Sequence, residues 1–191
     1  METKNIMIVG VGGQGTLLAS KLLGAALLKM NYDVKVSEVH GMSQRGGSVV
    51  TYVRYGQKVY SPIIDKGEAD IILSFELLEA ARWIEYLKQG GKILVNTQRM
   101  EPMPVIIGAS KYPDDIEGKL KNTGAEVITG DFLSAANEAG SSKAVNIALM
   151  GKLSTLFDDV PESIWIETMN EIVPAKFLDL NKKAFELGKN C

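Results

Sequence analysis

Six residues near the start of the chain, Gly10-Val11-Gly12-Gly13-Gln14-Gly15, have the spacing GxGxxG. In such a turn the first glycine permits a tight bend. The second lets backbone approach a ligand, and the third lets a helix pack closely on a strand. A helix opening there offers unpaired N–H groups and a partial positive charge to an anion. Glu38 closes a second apolar stretch, about where a dinucleotide-binding fold places the acid that holds a ribose. Two readings stay open on these residues alone. One is an NAD(P)-type or flavin dinucleotide at the turn. In the other, the glycines serve only the packing of helix on sheet, with Gln14 as a cap-like or interface residue.

A second cluster follows at once: His40-Gly41-Met42-Ser43-Gln44-Arg45-Gly46-Gly47. Arg45 is a fixed cation with a forked set of donors, flanked by an amide, a hydroxyl and glycine backbone. That combination suits a carboxylate, a phosphate or a partner's acidic side chain; the plainer alternative is a turn with a solvated arginine. No catalytic residue is assigned. Arg45 and His40 are the candidates, and His40, the single histidine, has no visible partner for proton transfer. Asn146 stands out on an otherwise apolar helical face (Ile147, Met150, Leu153), and two readings stay open: it bonds loop backbone near the glycine turn, or it simply satisfies a buried polar position.

These residues need elements to position them. The run Ile6-Met7-Ile8-Val9 is apolar on both faces, as in a buried parallel strand. Residues 14–31 carry Ala19, Leu22, Leu23, Ala26, Leu27 and Met30 on one helical stripe, and 34–38 form a second strand, which completes a β-α-β unit. Residues 48–55 alternate, and Gly56-Gln57-Lys58 predicts a turn into a short strand at 59–61, hence an inserted hairpin. Strands are predicted at 70–75, 92–96, 103–107 and 125–129. Helices are predicted at 76–89, ended by Gly90-Gly91, and at 113–123, ended by Gly124. Asp131 caps a short helix, Ser141-Ser142 caps another over 143–157, Pro161 and Pro174 bracket a third, and a last one at 175–187 stops at Gly188. Trp83, Tyr86 and Trp165 read as core or interface aromatics. The pattern predicts a single α/β domain over 1–191: a Rossmann-like, mostly parallel sheet with helices on both faces. Residues 141–191 make a helical C-terminal part packed on it.

Bulk properties exclude several classes. The 191 residues carry a net charge of −2, which gives no basic field for nucleic acid. No apolar run approaches the roughly 20 residues needed to cross a bilayer, and the first residues lack a signal-peptide pattern. One cysteine, Cys191, precludes an internal disulfide and fits a reducing, cytoplasmic setting. One cysteine also precludes a self-contained iron–sulfur cluster, and one histidine argues against a histidine-based metal site, so no metal ligands are assigned.

Taken together, the glycine turn and Met42-Ser43-Gln44-Arg45-Gly46-Gly47-Ser48 resemble the gamma subunit, or gamma domain, of 2-oxoacid:ferredoxin oxidoreductases. Within that family the resemblance is closest to the small (beta) subunits of the indolepyruvate type. It extends through Asp70-Ile71-Ile72-Leu73, Glu76 and the helix after it. It continues to Lys143-Ala144-Val145-Asn146 and Leu149-Met150-Gly151, where Met150 interrupts the family's Leu-Gly pair. The resemblance implies a complex that oxidatively decarboxylates a 2-oxo acid, an aryl pyruvate such as indolepyruvate, joins the acyl group to coenzyme A, and passes electrons to ferredoxin. It implies thiamine diphosphate, magnesium and iron–sulfur clusters. This chain has too few cysteines for a cluster and no Gly-Asp-Gly stretch leading to a ligand for a metal-bound diphosphate, so those groups belong to a large partner subunit. The chain itself is expected to bind no cofactor alone and to be inactive alone, with self-pairing into a homodimer open to it when isolated. Its ligand-facing residues would be Gly10, Gly12, Gly13, Gln14, Gly15, Ser43, Gln44, Arg45, Gly46, Gly47 and Asn146, near the coenzyme A path. A stand-alone NAD(P)- or nucleotide-binding domain is the alternative.

Overall fold

A computed structural model describes residues 2–38 and 46–191. Its sheet contains β1 (Lys4–Val11), β2 (Asp33–Glu38), β3 (Ser48–Gly56), β4 (Ala69–Ser74), β5 (Leu87–Asn96) and β6 (Glu126–Gly130), in the order β2-β3-β1-β4-β5-β6. β1, β4, β5 and β6 pair in parallel, while β3 runs antiparallel to both β1 and β2. The helices are α1 (Thr16–Lys29), α2 (Leu77–Trp83), α3 (Met103–Ile106), α4 (Ile116–Lys121), α5 (Phe132–Ala139), α6 (Val145–Ser154), α7 (Glu162–Ile172) and α8 (Leu178–Lys189).

Strand periodicity sorts the core into two layers. Ile6, Ile8, Leu73 and Leu94 point to one face and pack with α1, α5, α6 and α8. Met7, Val9 and Ile72 join one cluster on the other face, and Ile93 and Val95 join Ala80, Ile116 and Leu120 of α2 and α4 in a second. Alternation with period two, buried on both sides, makes the central strands continuous apolar runs. The expected α/β, Rossmann-like layering with helices on both faces is therefore observed, with a helical C-terminal third. α6 and α8 touch through glycines. A Cβ on Gly151 would lie 2.0 Å from the Phe185 carbonyl oxygen, and one on Gly188 would lie 1.9 Å from that of Ala148. Gly188 thus sits inside α8 as a contact point and does not stop it.

Several expected elements differ. The hairpin forms between β2 and β3, not between 48–55 and 59–61. Both edges of β3 are taken by β1 and β2, so 59–61 has no edge to join. Asp33 accepts from the Val59 N–H at 2.9 Å, and Arg54 donates to the Ser61 and Ile63 carbonyls at 3.2 and 2.7 Å, which fixes that segment as irregular chain. Residues 103–106 are the short helix α3, because Pro104 cannot donate to a sheet ladder but suits a first helical turn. The 76–89 helix ends at Trp83, passes through a 3-10 turn (Ile84–Tyr86), and gives way to β5, in which Gly90 adopts φ +74° beside a register shift. The end signals at Asn31 and Gly124 hold, with φ of 62° and +81°.

Candidate functional site

Parallel β1, β4, β5 and β6 bring their C-terminal ends to one edge of the sheet, where ligands bind open α/β folds. β3 starts at the same edge, with Ser48 opposite Val11. This edge gathers the glycine turn, Gly46-Gly47-Ser48, Phe75-Glu76 after β4, Asn96 to Gln98 at and after β5, and Asp131 after β6.

The turn is built by its own side chain and by β3. The Gly12 N–H donates to the Gly47 carbonyl at 2.8 Å, and the Gln14 N–H to the Val11 carbonyl at 3.2 Å. Gln14 Oε1 accepts from the Val11 N–H at 2.8 Å, while its Nε2 donates to the Phe75 carbonyl at 3.1 Å and faces Gln98 Oε1 at 3.4 Å. A Cβ on Gly10 would come within 2.9 Å of Gln14 Oε1 and 3.0 Å of Phe75 Cβ, so Gly10 makes room for this brace. Gly13 and Gly15 hold φ of +100° and +86°, a region costly for other residues. Nothing lies within 4 Å of a Cβ on Gly13, whereas one on Gly15 would meet Asn146 Nδ2 at 2.6 Å. Asn146, buried on α6, donates to the Gly15 carbonyl at 3.3 Å. The expected tie between Asn146 and the turn is present.

Glu38 does not join this group. Insertion of β3 sets β2 two strand spacings from β1, about 10 Å. Glu38 accepts from Ser20 Oγ on α1 at 2.6 Å and lines a separate depression with Lys21, Gly24 and Val36. The dinucleotide fingerprint is thereby split between two places. Among the other candidates, Gly46 and Gly47 stand beside the turn, while His40, Ser43, Gln44 and Arg45 lie outside the described residues.

Sequence reasoning gave no role to three polar residues at this edge, Glu76, Glu79 and Asn96. Buried Glu76 caps α2 through the Glu79 N–H (2.9 Å) and accepts from the Met100 N–H (3.0 Å) and the Tyr112 hydroxyl. Burial, then this carboxylate, pushes the Tyr112 hydroxyl pKa up, and the Arg99 guanidinium lies 4.0 Å over its ring. Glu79, 3% exposed, accepts from Ser48 Oγ and pairs with Arg82 at 3.4 Å. Burial holds its carboxyl above the ordinary glutamate range, against the pull of Ser48 and Arg82. Asn96 donates to the Phe75 carbonyl (3.3 Å) and to Gln98 (3.2 Å), and accepts from the Phe132 N–H (3.2 Å). The readable signals were a strand followed by Glu-x-x-Glu, and amides directly after a buried strand.

Two cavities meet here and share Met100. One, about 490 Å³, is lined by Gly12, Gly13, Gln14, Gly15, Gln98, Ser142 and Lys143. Lys143 is its sole charged lining residue among those described, next to the first turn of α1, whose leading N–H groups have no partner within the helix. That arrangement suits an anion. The other, about 520 Å³, lies between Gly46-Gly47-Ser48 and residues 100–106. Among the described residues no group of three or more His, Cys, Asp or Glu is placed to hold a metal ion, and one cysteine does not supply the thiolates a cluster needs. No helix of the described residues is long and apolar enough to cross a membrane. Cys191 is half-buried, and burial raises its thiol pKa.

Comparison with known proteins agrees with this frame. The chain is 45% identical to indolepyruvate oxidoreductase subunit IorB of Thermococcus kodakarensis, over 98% of this chain and 95% of that one. It is 46% identical to the subunit of the same name from Pyrococcus horikoshii, with the same coverage. The fold recurs in a 2-oxoglutarate:ferredoxin oxidoreductase from Magnetococcus marinus, solved with 2-oxoglutarate, coenzyme A and succinyl-CoA. The TM-score is 0.77 at 21% identity, covering all of this chain and 31% of that longer one. Residues 5–191 match the model described as pyruvate ferredoxin/flavodoxin oxidoreductase, and with these relatives the match shows that the chain belongs to that oxidoreductase family.

Proposed function

We propose that this chain is the small subunit of a 2-oxoacid:ferredoxin oxidoreductase that acts on an aryl pyruvate, indolepyruvate in the first instance. The observation that carries the reading is its end-to-end similarity, at 45–46% identity, to two subunits named for indolepyruvate. A large partner subunit supplies thiamine diphosphate, magnesium and the iron–sulfur clusters, because the residues here do not fit them, and ferredoxin is reached through that complex. The chain acts as one α/β unit, 1–191, in the cytoplasm, with 141–191 packed on the sheet. Its turn residues Gly10, Gly12, Gly13, Gln14 and Gly15, with Asn146 as positioning residue and Ser43, Gln44, Arg45, Gly46 and Gly47 alongside, form the wall of the coenzyme A path. Lys143 and the start of α1 meet phosphate charge.

The test is reconstitution. The chain and its large subunit are purified apart and assayed for indolepyruvate-dependent ferredoxin reduction with coenzyme A. Turnover is expected from the mixture and from neither part alone. Full turnover by this chain alone, or tight NAD binding with no effect of the large subunit, sinks the reading.

A further inference from the structure

The cavity between Gly46-Gly47-Ser48 and residues 100–106 is not needed for the anion at the turn, yet it has the features of a built site. Its volume, about 520 Å³, is within the range of small-molecule pockets, roughly 300–1,000 Å³. Its walls are apolar: Met100, Pro102, Met103 and Ile106 among them. Met103 and Ile106 are 65% and 62% exposed, an unusual display for large apolar side chains with no neighbour to cover them among the described residues. Its lining includes one carboxyl, Glu79, which is 3% exposed. A carboxylate has about four acceptor positions. Ser48 takes one and Arg82 lies against another oxygen at 3.4 Å, so Glu79 keeps acceptor capacity. The burial that raises its pKa also strengthens any donor that replaces water there.

We propose that this cavity binds a planar aromatic ring with an N–H at its edge: the ring lies between the methionine and proline side chains, and the N–H donates to Glu79. Two sources share that chemistry, an indole and the amino-bearing ring of an adenine nucleotide. The inference does not depend on the large subunit, because binding is measured on this chain directly.

The test is calorimetry on the full chain with three probes: indole-3-acetate, adenosine 3′,5′-bisphosphate, and 1-naphthylacetate as a ring without an N–H. At least one N–H-bearing probe is expected to bind. Glu79→Leu should weaken that probe about tenfold, the loss of one hydrogen bond to a charged group, and leave naphthylacetate unchanged. Ile106→Asp, at an exposed wall position, should weaken all aromatic probes without affecting the fold. Whichever N–H-bearing probe responds to Glu79 identifies the source. No binding by either N–H-bearing probe, or an equal response of both ring types to Glu79→Leu, overturns the proposal. If Glu79→Leu does not fold, indifference of every probe to Ile106→Asp overturns it.

Discussion

Asn146 donates to the carbonyl of Gly15 at 3.3 Å, across 131 positions of sequence. Its Nδ2 occupies the place a side chain at Gly15 would need, 2.6 Å from a Cβ there. The glycine is therefore required twice, by its left-handed backbone and by its neighbour. Gly15→Ala is expected to destabilise the protein by about 2–3 kcal/mol, from αL strain plus overpacking. Asn146→Ala should cost about 1 kcal/mol. The double variant should lose less than the sum, since removing the amide relieves the clash. Urea denaturation of all four proteins checks this, and strict additivity refutes it.

Helix contact between α6 and α8 predicts a larger effect. A methyl group at Gly151 or Gly188 meets a backbone oxygen at about van der Waals overlap, and backbone cannot swing aside. Gly188→Ala should cost about 3 kcal/mol or more. Thermal unfolding by circular dichroism reads it, and an unchanged midpoint counts against the close packing.

Glu76 holds residues 99–112 to α2 through Met100 and Tyr112. Glu76→Ala leaves both donors without this acceptor and should destabilise by about 3 kcal/mol. Limited proteolysis should then cut between residues 99 and 112 ahead of the sheet. Uniform cutting elsewhere contradicts the assignment of Glu76 as the tie.

The pKa of Glu79 sets a pH dependence of definite sign. Its carboxyl is raised on folding, by burial first, with the Glu76 charge adding and Ser48, Arg82 and Trp83 opposing. In the interval between the unfolded and folded values the folded state binds more protons. Its stability contribution is full below the unfolded glutamate value and is lost as pH rises through the folded one. Glu79→Gln should flatten the fall in stability above pH ~4.3, measured by urea midpoints across pH. A variant profile parallel to the parent's rules this out.

At the other cavity, Lys143→Glu should raise the Michaelis constant for coenzyme A in the reconstituted complex about tenfold. It should leave folding unchanged because the residue is exposed. The effect should shrink with added salt. An unaltered constant removes Lys143 from the coenzyme A path.

The sequence made the strand–glycine turn–helix legible because glycine spacing and a buried apolar run are local signals. The Asn146 tie was legible too, as a polar residue on an apolar helical face. The placement of β3 was not. Alternation in 48–55 announces a strand but not its partners, and pairing with both β1 and β2 is a tertiary choice. That choice displaced Glu38 and removed the partner for 59–61. Residues 103–107 are apolar and β-branched enough to imitate a strand, and Pro104 was the overlooked contrary sign. Glu76, Glu79 and Asn96 also act through distant partners, 21 to 36 positions away, and no local pattern displays those.

The Gly12 to Gly47 hydrogen bond has a kinetic consequence. A dinucleotide turn keeps that amide free for its ligand; here it fastens the turn to the start of β3. Whatever grips or frees residues 46–48 alters how often the Gly12 proton is exposed to solvent. Deuterium uptake at this one amide therefore reports on the attachment of residues 46–48 to the turn, and slower exchange on addition of the proposed large subunit would register that attachment tightening.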